Sequence, residues 1–305
     1  MNNAQIHQDV TNKIVAAMEA NPGQWTKPWT DNGRPKNATT GRRYSGINIL
    51  LLGMAGVAKD YPSSLWGSYR QWQGVGAQVR AGESGTTIVY ASTFTPKDAE
   101  PGTKAIPFLK STKVFNAAQV DGHASKNRYI FDQEDAPVSL VQRIKDVDQF
   151  THATGADVRH GGDRAYYSLS QDFIGMPEPS SFKDTSTGTA TENMYGTLLH
   201  ELTHWTGHKS RCDREFGKRF GTNAYAAEEL VAELGASFLC AGLGLAIEPR
   251  LDHAQYLNSW IRLLKADKRA IFTAASKASE AVAWLEQAQA QDEAQAQADG
   301  EYYDA

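Results

Sequence analysis

Five residues constrain this chain more than any others: His200-Glu201-Leu202-Thr203-His204, an H-E-x-x-H run inside an apolar, helix-like segment. On an α-helix, residues four apart lie on one face about 6 Å from each other, so two imidazoles at this spacing face one metal ion. Glu201 is turned partly aside and is placed to take a proton from water beside that ion. The pattern therefore specifies both a helix and a hydrolytic chemistry. Local signals support the helix. Thr189 and Glu192 form a capping box, Met194, Leu198, Leu199 and Leu202 supply apolar positions, and Gly207 is a natural terminator.

A zinc site of this kind needs a third protein ligand and keeps one position for water. His208 is the nearest candidate. A straight helix through Gly207 would put His200 and His208 about 12 Å apart, too far for one ion. His208 reads instead as a histidine near a helix C-terminus, favoured by the dipole. The stretch Ala227 to Leu234 is a second helix, with Leu230, Val231, Leu234 and Phe238 on its buried side. Its Glu229-Leu-Val-Ala-Glu233 run resembles the E-x-x-A-[D/N/E] element of Glu-type zincins. That resemblance implies Glu229 as third ligand and Glu233, one turn on, as acceptor for a ligand histidine N–H. Glu233 as the ligand is the alternative, and Glu228 reads as a solvated helix charge. A 2-His-1-carboxylate set also suits non-haem iron, but the Glu between the histidines favours a hydrolase.

At 305 residues the chain is long enough for two domains. The net charge of −4 hides an asymmetry: residues 1–130 carry +7 and residues 131–305 carry −11. Opposite signs suggest two jobs, a basic half suited to a polyanion and an acidic half that is not. The expected boundary falls near Phe131 to Pro137, where charge flips and a proline interrupts. The second domain is then 131–286, followed by an Ala/Gln-rich acidic tail, 287–305, frayed or disordered. No apolar run approaches a membrane span, the N-terminus lacks a signal-peptide pattern, and Cys212 and Cys240 stand apart as two reduced thiols. We expect a cytoplasmic protein with no membrane partner.

The basic half holds four of the seven tryptophans, Trp25, Trp29, Trp66 and Trp72. Among them lie Lys27, Arg42, Arg43, Tyr44, Tyr69 and Arg70. Cations that track phosphates, interleaved with aromatic faces that stack on unpaired bases, suit single-stranded nucleic acid. The alternative places Trp66 and Trp72 in the core. Asn48 to Val57 and Ser64 to Gly74 look helical. Gly85 to Phe94 reads as a strand, with its hairpin partner in Ala105 to Phe115. We expect an α+β fold: an N-terminal α+β domain with a small antiparallel sheet, then a mostly helical domain with a short sheet.

Both halves resemble one family, the ArdC-type plasmid antirestriction proteins, related to the N-terminal part of TraC primases. The N-terminal signature is Trp25-Thr-Lys-Pro-Trp29, Pro35 to Asn48, Trp66-Gly-Ser-Tyr-Arg-Gln-Trp72, Gly82-Glu-Ser-Gly85 and Val114-Phe-Asn116. The C-terminal signature is Gly162 to Tyr167, Leu199 to His208 and Glu228 to Glu233. The resemblance implies an N-terminal single-stranded-DNA-binding domain and a zincin-like metallopeptidase domain. It implies protection of incoming conjugative plasmid DNA from restriction. Arg42, Arg43, Tyr44 and Asn48 match the signature and are the DNA contacts it implies. The expected cofactor is Zn2+, with Mn2+ or another divalent ion able to take the same ligands. The expected partners are single-stranded DNA and a restriction or DNA-bound protein as peptidase substrate. The competing reading is a non-catalytic protein that coats single strands, its metal site structural.

Overall fold

The computed structural model describes residues 3–20, 33–94, 105–122, 140–185, 188–245 and 253–303. In chain order the elements are α1 (Asn3–Ala20), β1 (Lys36–Asn37), α2 (Ile47–Ala58), β2 (Leu65–Gly67), α3 (Tyr69–Gly74), β3 (Gln78–Val79), β4 (Thr86–Phe94), β5 (Ile106–Asn116) and β6 (Val120–Asp121). These are followed by α4 (Leu140–Ala153), β7 (Asp157–His160), β8 (Tyr166–Ser168), β9 (Phe173–Met176), α5 (Ala190–Trp205), α6 (Ala224–Leu243), α7 (His253–Ala266) and α8 (Ala270–Tyr303). The fold is mixed α+β, in two compact units. No described helix is long and apolar enough to cross a membrane.

The first unit holds α1 to α3, β1 to β6 and the segment Leu264–Phe272. Its larger sheet runs in the order β1-β2-β5-β4, with β1 parallel to β2 and the other pairs antiparallel. Strands β3 and β6 form a separate antiparallel pair. Helix α2, INILLLGMAGVA, is apolar on nearly every side, so it is buried on most sides. The expected helix over Ser64 to Gly74 is corrected: Leu65–Gly67 is a strand, and the helix starts only at Tyr69. Ser68 divides them, because its hydroxyl and the Gln71 side chain close a capping box. Pairing of Trp66 with Asn116 turns the indole into a core of Leu52, Tyr61, Ile88 and Val114. Trp72 fills a second core with Ala38, Val79 and Val120, and its indole N–H donates to the Phe115 carbonyl at 3.1 Å. The hairpin expected from Gly85 to Phe115 is present as β4 and β5, Thr86 opposite Val114 through Phe94 opposite Ile106.

The second unit is mostly helical, with a three-stranded sheet in the order β7-β9-β8. Strand β8 is an edge of that sheet. Arg211, just past α5, ties the sheet down: its guanidinium pairs with Asp172 and lies over the Trp205 ring, 3.8 Å from the centroid. The Ala/Gln-rich segment continues α8 as helix to Tyr303.

Helices α5 and α6 approach very closely where Gly235 faces Thr203. A Cβ built on Gly235 would lie 2.4 Å from Thr203 Cγ2. Thr203 is fully buried and its hydroxyl donates to the Leu199 carbonyl at 2.8 Å, so it has no room to yield. Gly235→Ala is therefore expected to destabilise the protein by about 1–3 kcal/mol, by overpacking. Urea unfolding of the two proteins checks this; an unchanged midpoint would show that the helices separate freely.

Candidate metal centre

Helix α5 begins as expected. Thr189 Oγ1 accepts from the Glu192 N–H at 3.2 Å, and the Glu192 carboxylate accepts from the Thr189 N–H at 3.0 Å. The helix runs to Trp205 and so carries the whole H-E-x-x-H run. Helix α6 covers Ala224 to Leu243 and ends at Gly244, whose φ of 69° is left-handed and suits glycine. Leu230, Val231, Leu234 and Phe238 form its buried side. Packing α5 against α6 brings His200, His204 and Glu229 together, one donor atom from each lying within 4.8 Å of the others.

The arrangement is reciprocal. His200 Nε2 lies 3.6 Å from Glu229 Oε2, and His204 Nε2 lies 3.6 Å from Glu229 Oε1. Two donors about 2.1 Å from a shared tetrahedral ion stand about 3.4 Å apart, so these separations fit a divalent cation between them. The far nitrogens face other carboxylates: His200 Nδ1 lies 3.6 Å from Glu233 Oε2, and His204 Nδ1 lies 3.1 Å from Glu228 Oε1. A carboxylate on Nδ1 holds the proton there and leaves Nε2 as the lone-pair donor. His200, Glu201, Glu229 and Glu233 are all buried. Burial alone would lower the His200 pKa, but Glu229, Glu233 and Glu201 outweigh it and push it up. That concentration of negative charge favours a cation.

Glu228 corrects the sequence reading of a solvated helix charge. Arg214 grips it with two hydrogen bonds, Nε to Oε2 at 2.8 Å and Nη2 to Oε1 at 2.6 Å. Burial opposes ionisation of Glu228, yet Arg214 and then His204 hold its carboxyl down at about 2. Arg214 also donates to the Thr203 carbonyl at 2.7 Å and to Thr206 Oγ1 at 3.0 Å, which locks this loop to the end of α5. Tyr225 was likewise missed. It lies one turn before Glu229 on α6, is exposed, and its hydroxyl is 3.1 Å from that of Tyr256. Burial raises the Glu229 pKa, but His200, His204 and Tyr225 overcome it and bring the carboxyl below its ordinary range. The i, i+4 spacing of Tyr225 and Glu229 was a usable signal; nothing in the sequence linked Arg214 to Glu228. His208 stands past the helix end, its Nδ1 2.8 Å from Ser210 Oγ.

Of the residues singled out for nucleic acid, Trp25, Lys27 and Trp29 lie outside the described residues. Trp66 and Trp72 are 1% and 0% exposed. They are core residues and offer no face to a base, which corrects that expectation. Asn48 is also committed within the fold: its amide donates to the Val89 carbonyl at 2.7 Å and accepts from the Val89 N–H at 2.8 Å. Tyr44 is half-buried and packs on the Trp66 core. Arg42, Arg43, Tyr69 and Arg70 are exposed.

Residues 4–115 match the family model described as the N-terminal domain of anti-restriction factor ArdC. Residues 145–277 match that of a zincin-like metallopeptidase. Crystal structures of the antirestriction ArdC protein from the R388 plasmid superpose well. The metal-free form gives a TM-score of 0.76 at 40% identity, covering 93% of this chain and 98% of that one. The Mn(II)-bound form gives 0.74 at 41% identity, with the same coverage. An uncharacterized protein of Sinorhizobium fredii, y4eC, is 40% identical over 92% of this chain and 91% of its own length. A DNA primase TraC of Escherichia coli is 35% identical over 96% of this chain, which spans only 28% of the primase.

Proposed function

Because the chain belongs to the ArdC family of antirestriction proteins, with that family's N-terminal domain and a zincin-like metallopeptidase domain, we propose that it protects incoming conjugative plasmid DNA from restriction. In this reading residues 1–130 bind single-stranded DNA and residues 131–286 form a metal-dependent peptidase. The observation that carries it is the convergence of His200, His204 and Glu229, with a carboxylate behind each imidazole.

His200, His204 and Glu229 would hold the cation. Zinc suits their nitrogen and oxygen donors, and the Mn(II)-bound relative supports entry of other divalent ions. When bound, the ion supplies Lewis-acid polarisation of a peptide carbonyl and of water. Glu233 and Glu228 keep the two histidines in the tautomer that presents Nε2. Glu201 takes the proton from the attacking water and returns it to the departing amine. The substrate is a restriction or DNA-bound protein, brought to high effective concentration by DNA binding in the same chain.

Charge favours a second reading, in which the basic half coats single strands and the metal site only stabilises its domain. The test common to both is plasmid transfer with and without the chain. Transfer into a restricting recipient should rise and transfer into a non-restricting one should not. Equal transfer into the restricting recipient with and without the chain would refute the proposal.

A further inference from the structure

We infer that one face of the β4–β5 hairpin, formed by Tyr90, Phe94, Phe108 and Lys110, is the platform on which single-stranded DNA stacks. The inference rests on the proposed DNA-binding role of the N-terminal domain and locates it on residues that the sequence reading did not select.

Strand β4 lies at the end of its sheet, and every residue from Tyr90 to Phe94 is exposed. Side chains alternate across a strand, so Tyr90, Ser92 and Phe94 share one face. The register places Lys110 opposite Tyr90 and Phe108 opposite Ser92, on that same face. Phe108 thus sits diagonally between the two exposed rings, within reach of both. The Lys110 ammonium lies over the Phe108 ring, 5.1 Å from its centroid. Tyr90 and Phe94 are 45% and 54% exposed, a costly display of aromatic surface on an edge strand.

The ribbon is rigid at its base. Ile88 and Val114, lower on the same face, are buried with Leu52 and Trp66, and the Asn48 amide clamps the backbone of Val89. The aromatic rings therefore project from a fixed support.

Charge selects the occupant. Thr86–Phe94 and Ile106–Asn116 contain Lys110 and Lys113 and no Asp or Glu, within a half of the chain that carries +7. Aromatic faces beside a cation, on strands that carry no carboxylate, accept unpaired bases and their phosphates. A protein strand added to the edge would use the backbone groups of β4 and would not need the aromatic face.

The experiment is fluorescence anisotropy of a labelled oligo(dT) with the full chain. The wild type, Tyr90→Ala/Phe94→Ala, the ring-keeping Tyr90→Phe/Phe94→Tyr, and Lys110→Ala are compared, with thermal melting to confirm each fold. The double alanine variant should bind about tenfold more weakly or worse. The ring-keeping variant should bind as wild type, and Lys110→Ala should lower the log–log salt slope by about 0.7. Wild-type binding with an unaltered double alanine variant overturns the platform while leaving the DNA-binding reading intact. No binding by the wild type overturns that reading and the platform with it. If sedimentation shows that the double alanine variant loses only self-association, the face joins copies of the chain and the inference is wrong.

Discussion

Glu201→Gln is expected to leave the metal in place and to slow peptide hydrolysis by about 100- to 10,000-fold, the usual contribution of a general base. Glu201 lies between the two histidines on α5 and is 4% exposed, so it is held in a site screened from bulk solvent. Glutamine keeps its shape and loses its basicity. The other groups that hold the centre, His200, His204, Glu229, Glu233, Glu228 and Arg214, are untouched. Metal content by elemental analysis and cleavage of an unstructured protein substrate by the metal-loaded chain check the two halves of the expectation. Cleavage at the wild-type rate would show that the proton acceptor is another group. The same variant in the transfer assay separates the two functional readings. Lost protection makes peptide hydrolysis the function, and full protection passes the role to the N-terminal domain.

Glu229→Ala should cost more in metal affinity than Glu233→Ala. Both Nε2 atoms face the Glu229 carboxylate, whereas Glu233 meets only the far nitrogen of His200. Loss of a partner behind a ligand typically costs about 10- to 100-fold in affinity, and loss of a ligand should exceed that range. Zinc competition against a chromophoric chelator measures both variants at one pH. The reverse order would transfer the ligand role to Glu233.

The pairing of His200 with His204 on one helix face was legible because short-range helical geometry decides it. Four-residue spacing aligns His200 with His204 whatever the rest of the chain does. The capping box at Thr189 and Glu192 is equally local. The partner of His204 was not legible. Glu228 and Glu229 are adjacent and chemically alike, and only the rotation of α6 against α5 makes one face both Nε2 atoms and the other an Nδ1. Arg214, the residue that neutralises Glu228, comes from the segment between those helices.

In the N-terminal domain, residue types suggested a stacking surface, and the fold buries two of the tryptophans they named. Trp66 and Trp72 carry the composition of a stacking platform, yet pairing β2 with β5 sends Trp66 inward and the Ser68 cap rotates Trp72 into a second core. In the sequence, Tyr90 and Phe94 look like part of an ordinary strand. Their exposure follows from the position of β4 at the sheet end, with its outer half beyond the core.

The sequence by itself determined the fold class, the two histidines with the glutamate between them, and the helices that present them. These follow from spacing, capping and apolar periodicity, which act over a few residues. The tertiary structure alone decided which carboxylates face which imidazole nitrogens, and which aromatics are core and which are surface. Those outcomes depend on helix rotation and strand pairing between segments far apart in the chain. Side-chain packing sets such choices within ångströms, as the contact of Gly235 with Thr203 illustrates.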